Sequence, residues 1–218
     1  MLDEATYATG LRTLAAQDAD LATILTKLGP PPLWAREPGF PTLLYIILEQ
    51  QVSLASARAA YERLLTVATP LTPEHFLALD DLTLRTIGFS RQKTVYGRHL
   101  AQAIVQGELD LTGLTHLPDD AVRAALLAHK GIGPWTAEIY LLMALLRPDS
   151  WPAGDLALQV ALQQIKRLPH RPTALEATAL AEAWRPWRAI AARLLWQHYL
   201  NQRSEGRAIA PAHSQAAA

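Results

Sequence analysis

The sequence predicts an all-α protein, and three observations carry that reading. Apolar residues recur at three-to-four spacing along most of the chain. No segment sustains the apolar–polar alternation of a half-buried strand. The prolines fall beside capping residues and glycines, where helices start or stop, rather than inside the periodic stretches.

In order, Leu11, Leu14, Leu21, Ile24, Leu25 and Leu28 mark one face of a single first amphipathic helix, ended by Gly29-Pro30-Pro31-Pro32. Pro41 opens a strongly apolar helix through Leu43, Leu44, Ile46, Ile47 and Leu48, and another runs from Leu54 to Val67. Thr72 caps a helix whose first residue is Pro73, and Asp80 caps the next, which Gly88 ends. Ser90 then caps a helix from Arg91 to about Ala103. After a turn around Gly107 and Gly113, Pro118-Asp119-Asp120 starts one helix. A second, from Trp135 to Leu146, is apolar almost all round and is expected to be buried. Asp155 begins a further helix, Thr173 caps another, and Pro186 opens the last. Residues 1–206 form the globular core as two helical subdomains, and 207–218 read as a disordered tail.

Composition narrows the class. Half of the 218 residues are hydrophobic, enough for a sizeable core, yet no apolar run reaches the ~18 residues that span a bilayer. The start Met1-Leu2-Asp3-Glu4 lacks a secretion signal, so a cytoplasmic location and no membrane partner are expected. There is no cysteine, which excludes disulfides and thiolate metal sites from this chain. Net charge is zero, against a nucleic-acid binder working by charge alone. Arg85, Arg91, Lys93 and Arg98 nevertheless fall in one segment, away from Asp80, Asp81, Asp119 and Asp120. They make either a local basic face or an ordinary solvated one.

The most informative stretch is Leu126 to Asp155. Two helical segments are joined by Lys130-Gly131-Ile132-Gly133-Pro134, a helix–hairpin–helix signature. Glycines there let backbone approach a bulky partner, and amides exposed at the second helix start suit a DNA phosphate. About twenty residues after the hairpin, Pro152-Ala153-Gly154-Asp155 places a carboxylate at the opening of a helix. An aspartate in that position is ordinarily an N-cap, and the helix-start amides that it caps also favour its ionised form.

Together the hairpin, the apolar helix and this loop resemble the helix–hairpin–helix–Gly/Pro/Asp superfamily of DNA glycosylases. Trp184-Arg185-Pro186-Trp187-Arg188 further resembles a Trp-x-Pro-Trp-Arg stretch of the AlkA-type 3-methyladenine DNA glycosylase II family. The similarity runs from about Gly39 to Gln202. It implies a two-lobed helical fold with the active-site cleft between lobes, without the N-terminal β domain of some members. It implies a monomeric enzyme that flips alkylated bases such as 3-methyladenine or 7-methylguanine from damaged double-stranded DNA and hydrolyses the N-glycosidic bond. By the same resemblance Asp155 is the catalytic carboxylate, stabilising positive charge on the sugar as the base leaves.

Trp135, Trp187 and Ile139 then line the base pocket, Ile139 standing where some relatives carry an aromatic residue. Indole faces suit cationic bases, by about 0.5–2 kcal/mol each; the alternative for either tryptophan is core packing. Superfamily members that also cut the strand carry a lysine at the position of Trp135, so no lyase activity is implied. Lys130, Gly131, Ile132 and Gly133 face the DNA, as does Gln50 within Glu49-Gln50-Gln51-Val52-Ser53, with Ser53 also a plain cap candidate. Phe89, Ser90, Arg91 and Lys93 fall in the loop that fills the gap left by the flipped base; Arg91 stands where the best-known relative inserts a leucine. Backbone carbonyls of Leu127, His129 and Ile132 are the matching set for a monovalent cation; no other cofactor is expected, and no iron–sulfur cluster is possible without cysteine. Three alternatives stay open at this point: a glycosylase for deaminated or mismatched bases, a non-catalytic DNA-binding module, and a helical interaction scaffold.

Overall fold

In a computed structural model, residues 1–209 are described, with side chains to Ser204. Among these residues the chain forms α-helices and two short 3₁₀ turns, with no strand. No described helix is long and apolar enough to cross a membrane. Two compact units emerge. One is built from Trp34–Pro152, the other from Leu2–Leu33 together with the described chain from Ala153 to Ile209.

The Trp34–Pro152 unit contains α3 (Phe40–Glu49), α4 (Leu54–Val67), α5 (Pro73–Ala78), α6 (Asp81–Thr86), α7 (Arg91–Val105), α8 (Asp119–Leu127) and α9 (Pro134–Met143). Its core centres on α3, whose Leu43, Leu44, Ile46, Ile47 and Leu48 are fully enclosed among α4, α7 and α9. The starts are set locally. Ser53, Thr72, Asp80 and Ser90 each accept a backbone N–H of the following helix, and Pro73 and Pro134 sit in first turns. Helix α9 ends at Met143, three residues before the predicted Leu146, which has a left-handed φ of 50° and cannot continue the helix.

The other unit contains α1 (Glu4–Gln17), α2 (Ala19–Leu28), α10 (Leu156–Ile165), α11 (Ala174–Ala181) and α12 (Arg188–Ile209). The single first helix of the sequence reading is two helices. Asp18 leaves helical geometry at φ −135°, ψ 108°, ending α1 and capping α2 through Asp20 and Leu21 N–H. Its carboxylate also takes Lys166 Nζ at 2.8 Å and Trp184 Nε1 at 2.8 Å. The tertiary partners fix the break. The last helix begins at Arg188 rather than Pro186, because the Trp187 carbonyl accepts the first helical amides, those of Ile190 and Ala191. It continues to Ile209, and the rest of the expected tail, 210–218, lies outside the described residues.

Candidate active site

The hairpin is built within the Trp34–Pro152 unit. Ile132 is buried between α8 and α9 and donates its N–H to the His129 carbonyl at 3.1 Å, closing the turn. Gly131 has φ +94°, and a Cβ there would lie 2.4 Å from Tyr96 Cγ, so fold and neighbour both demand glycine. Gly133 differs. Its φ of −97° and ψ of 178° suit any residue, and an added Cβ would meet nothing within 4 Å. The fold gives no reason for a glycine at 133. Lys130 and Pro134 are exposed beside it, and α9 starts without a side-chain cap.

Two other segments clamp this hairpin. Gln50, at the end of α3, donates both hydrogens of its amide: one to the Gly131 carbonyl at 2.8 Å, the other to Thr136 Oγ1 at 2.8 Å. Gln51 follows in left-handed backbone at φ 56°, turning the chain into α4, where Ser53 is the N-cap. From α7, Tyr96 presses on Gly131 and accepts a hydrogen bond from Gln92. A small cavity of about 160 Å³ lies between these segments, lined by Gln50, Gln51, Val52, Ser90, Gln92, Lys93 and Tyr96.

The predicted gap-filling loop is only partly available. Phe89 is 3 % exposed and packs against Phe76, ring centroids 5.7 Å apart, so it belongs to the core and is withdrawn as a DNA contact. Ser90 caps α7. Lys93 turns inward to the Leu48 carbonyl, and burial holds its ammonium below the usual lysine range. Arg98 is engaged with Asp81 and the Leu77 and Leu79 carbonyls, whereas Arg85 and Arg91 are exposed. Arg91 is thus the side chain of this loop that points to solvent with a charge.

Trp135 lies half-buried on the first turn of α9. Ile139, one turn on, is 2 % exposed and packed inside the unit. Glu138 on the same helix joins Arg123 of α8 and accepts from Ser150 Oγ and from Trp151 N–H at 2.8 Å. That carboxylate fixes the segment entering Pro152. Sequence reasoning missed it, since its partners lie on two segments, twelve to fifteen residues away on either side.

In the second unit, Asp155 is the N-cap of α10 and is half-buried. Its Oδ1 accepts Leu158 N–H at 3.0 Å and the indole N–H of Trp196 at 3.1 Å. Gln159 reaches back from α10 to the Ala153 carbonyl at 2.9 Å, bracing the loop. Trp187 is half-buried, and a Cβ on Gly10 would come within 2.9 Å of its Cε3 and 2.3 Å of Ile190 Cδ1. Gly10 of α1 therefore makes room for that indole, a role with no local sequence signal. Among the described residues no cluster of His, Asp and Glu is placed to hold a metal ion. Within this unit, a fixed carboxylate suits stabilisation of a cationic sugar, and the half-buried Trp187 indole suits recognition of an aromatic cation.

Residues 44–186 match the family model described as HhH-GPD superfamily base excision DNA repair protein. Among curated proteins, the chain is 30% identical over 166 residues to DNA-3-methyladenine glycosylase 1 of Schizosaccharomyces pombe, covering 74% of this chain and 72% of that one. It is also 30% identical over 163 residues to the Bacillus subtilis protein YfjP, covering 71% of this chain but 57% of YfjP, little more than half that relative's length. Among solved structures, the S. pombe 3-methyladenine DNA glycosylase Mag1 in complex with abasic DNA matches with a TM-score of 0.82 at 26% identity, over 87% of this chain and 95% of Mag1.

Proposed function

The chain belongs to the HhH-GPD superfamily of base excision DNA repair proteins, and we propose that it is a monofunctional DNA glycosylase releasing alkylated bases from duplex DNA, acting as a monomer. The observation that carries this reading is Asp155: a carboxylate on the family's loop, held at a helix start by Leu158 N–H and the Trp196 indole.

The chemistry follows from the residues. An alkylated base such as 3-methyladenine carries positive charge, so its bond to C1′ breaks with the electron pair going to the base, which leaves neutral. Positive charge passes to the sugar, where the Asp155 carboxylate stabilises it. A water oxygen then bonds to C1′, and its proton goes to Asp155 or solvent. Trp135 and Trp187 each offer an indole face to a cationic base. Trp135 also supplies no amine for a Schiff base, so the product keeps an intact strand with an abasic site. Support for phosphate binding at the hairpin comes from Gly133, whose missing side chain the fold itself does not require. Gln50 serves the DNA face indirectly, by holding the hairpin. Ile139 serves the pocket from behind, since its side chain is enclosed.

The carbonyls of Leu127, His129 and Ile132 fit a hard monovalent cation. That of His129 accepts one hydrogen bond from Ile132 and has a second lone pair. Such an ion would add positive charge beside the phosphate.

The test is a panel of duplexes carrying 7-methylguanine, 3-methyladenine, hypoxanthine or uracil, assayed for free base and for strand breaks before and after alkali. Release of the methylated bases with breaks only after alkali is expected. Breaks before alkali would refute the monofunctional assignment, and release confined to hypoxanthine or uracil would refute the alkylated substrate class.

A further inference from the structure

The joint between α1 and α2 and the turn before α12 meet at one carboxylate. Asp18 ends α1, its own N–H going to the Leu14 carbonyl at 2.9 Å, and its Oδ1 caps α2. Its Oδ2 accepts the indole N–H of Trp184 at 2.8 Å, and Lys166 Nζ reaches both oxygens, at 2.9 and 2.8 Å. That ammonium also lies 5.9 Å from the centre of the Trp184 ring. Burial opposes the charge on Asp18, yet the Lys166 ammonium and the Trp184 indole hold its carboxyl below the usual aspartate range. Both oxygens are therefore acceptors at neutral pH.

Trp184 is 1 % exposed, so its indole is a fixed point. Three residues on, the Trp187 N–H donates to the Trp184 carbonyl at 2.7 Å and closes a tight turn. The Trp187 ring then rests against α1 at Gly10, where an added Cβ would lie 2.9 Å from Cε3 and 3.0 Å from Cδ2. The root of that indole and its support thus both refer to Asp18, the first through Trp184 and the second through the end of α1. An indole attracts a cationic base only while its face is presented at contact distance. A half-exposed ring braced on one side tips when its root shifts, and small misplacements are costly in a reaction that depends on alignment.

We propose that Asp18 is a positioning residue for base recognition: through the Trp184 indole it fixes the turn that presents Trp187 to the flipped base. The proposal rests on the reading of the chain as a glycosylase with Trp187 in its base pocket. Asp18 acts without touching the base or the sugar.

Asp18→Asn tests this narrowly. Asparagine caps helices about as well as aspartate, so Oδ1 can keep the α2 amides, while the new NH₂ group meets the Trp184 N–H donor to donor. Lys166 keeps its bond to Asp20 Oδ2 at 2.7 Å. A second variant leaves Asp18 intact and carries at 184 the tryptophan analogue with sulfur in place of the indole N–H; should Asp18→Asn not fold, it carries the kinetic test alone. Fluorine NMR of the free protein, with 5-fluorotryptophan at 187, reads the placement of that ring in the wild type and in Asp18→Asn. Single-turnover release of 7-methylguanine under saturating enzyme reads function, and affinity for a duplex with an abasic-site analogue is measured in parallel.

Expected are a displaced fluorine resonance in Asp18→Asn and release roughly twofold to thirtyfold slower in both variants. Affinity for the abasic duplex should not change, because that duplex offers no base to the indole. In a Trp187→Leu background, Asp18→Asn should slow release no further, since both changes act through one ring. An unmoved resonance, wild-type release by the sulfur analogue, or equal slowing in both backgrounds would overturn the proposal and leave the glycosylase reading intact. Loss of abasic-duplex affinity in step with the rate would overturn it in favour of a general packing role. A wild type that releases no base would refute the glycosylase reading and the proposal with it, a result separable from all of these.

Discussion

Replacing Gly131 and Gly133 separately by alanine separates what the hairpin needs in order to fold from what it needs in order to meet DNA. At Gly131 the backbone sits at φ +94° and the new methyl would lie 2.4 Å from Tyr96 Cγ. A residue with a Cβ in that conformation costs about 1–3 kcal/mol, and forcing Tyr96 aside about 1–3 more. The sum, roughly 2–6 kcal/mol, corresponds to a fall in thermal midpoint on the order of 10 °C for a chain of this size. At Gly133 the backbone is extended and the methyl meets nothing within 4 Å. Alanine there should stabilise by about 0.4–1 kcal/mol through the unfolded chain. Yet a methyl on the face where a phosphate approaches displaces a charge-assisted contact of about 1.5–3 kcal/mol, roughly tenfold to hundredfold in affinity. Thermal unfolding and titration of an abasic-analogue duplex at fixed salt give both quantities. Gly133→Ala binding DNA as tightly as the wild type would refute the phosphate argument, and Gly131→Ala melting with the wild type would refute the account of Tyr96.

Other consequences follow from single contacts. Gly10→Ala drives a methyl against Ile190 and Trp187; it should cost about 1–3 kcal/mol and slow base release by displacing that indole, and unchanged single-turnover release would contradict this. Gln50→Leu removes two hydrogen bonds of 2.8 Å to the hairpin and α9. It should speed amide exchange across residues 131–136, and wild-type protection there would contradict the clamp. Burial pushes the Tyr7 hydroxyl up from 10.0 to about 12 while it donates to the Pro31 carbonyl at 2.7 Å. A pKa raised by folding stabilises fully below the unfolded value and is lost as pH climbs to the folded one. Urea midpoints should therefore fall between pH 10 and about 12, and fall less steeply in Tyr7→Phe; parallel profiles would exclude the contribution.

What the sequence made legible was what local chemistry decides. Ser53, Thr72, Asp80, Ser90 and Thr173 cap helices through bonds to residues three positions ahead, so their signal is complete within a turn. The hairpin glycines and Asp155 were readable for the same reason. The break at Asp18 was not, because leucine periodicity runs straight across it and the carboxylate's other partners, Lys166 and Trp184, lie 148 and 166 residues away. Phe89 looked like a wedge by its place in a loop, whereas its direction is set by Phe76. Trp196 and Gly10 carry no local mark: one donates to Asp155, the other makes room for Trp187. Their roles arise only where helices distant in sequence pack together.

The central claim, that Asp155 carries hydrolysis of alkylated nucleotides, is tested most directly by free base released in a single turnover from methylated duplex DNA. Asparagine caps helices as well as aspartate, so Asp155→Asn should fold and bind an abasic duplex like the wild type. Removing the charge should slow release by about 10²–10³-fold. A folded, DNA-binding Asp155→Asn that releases base at the wild-type rate would contradict the account.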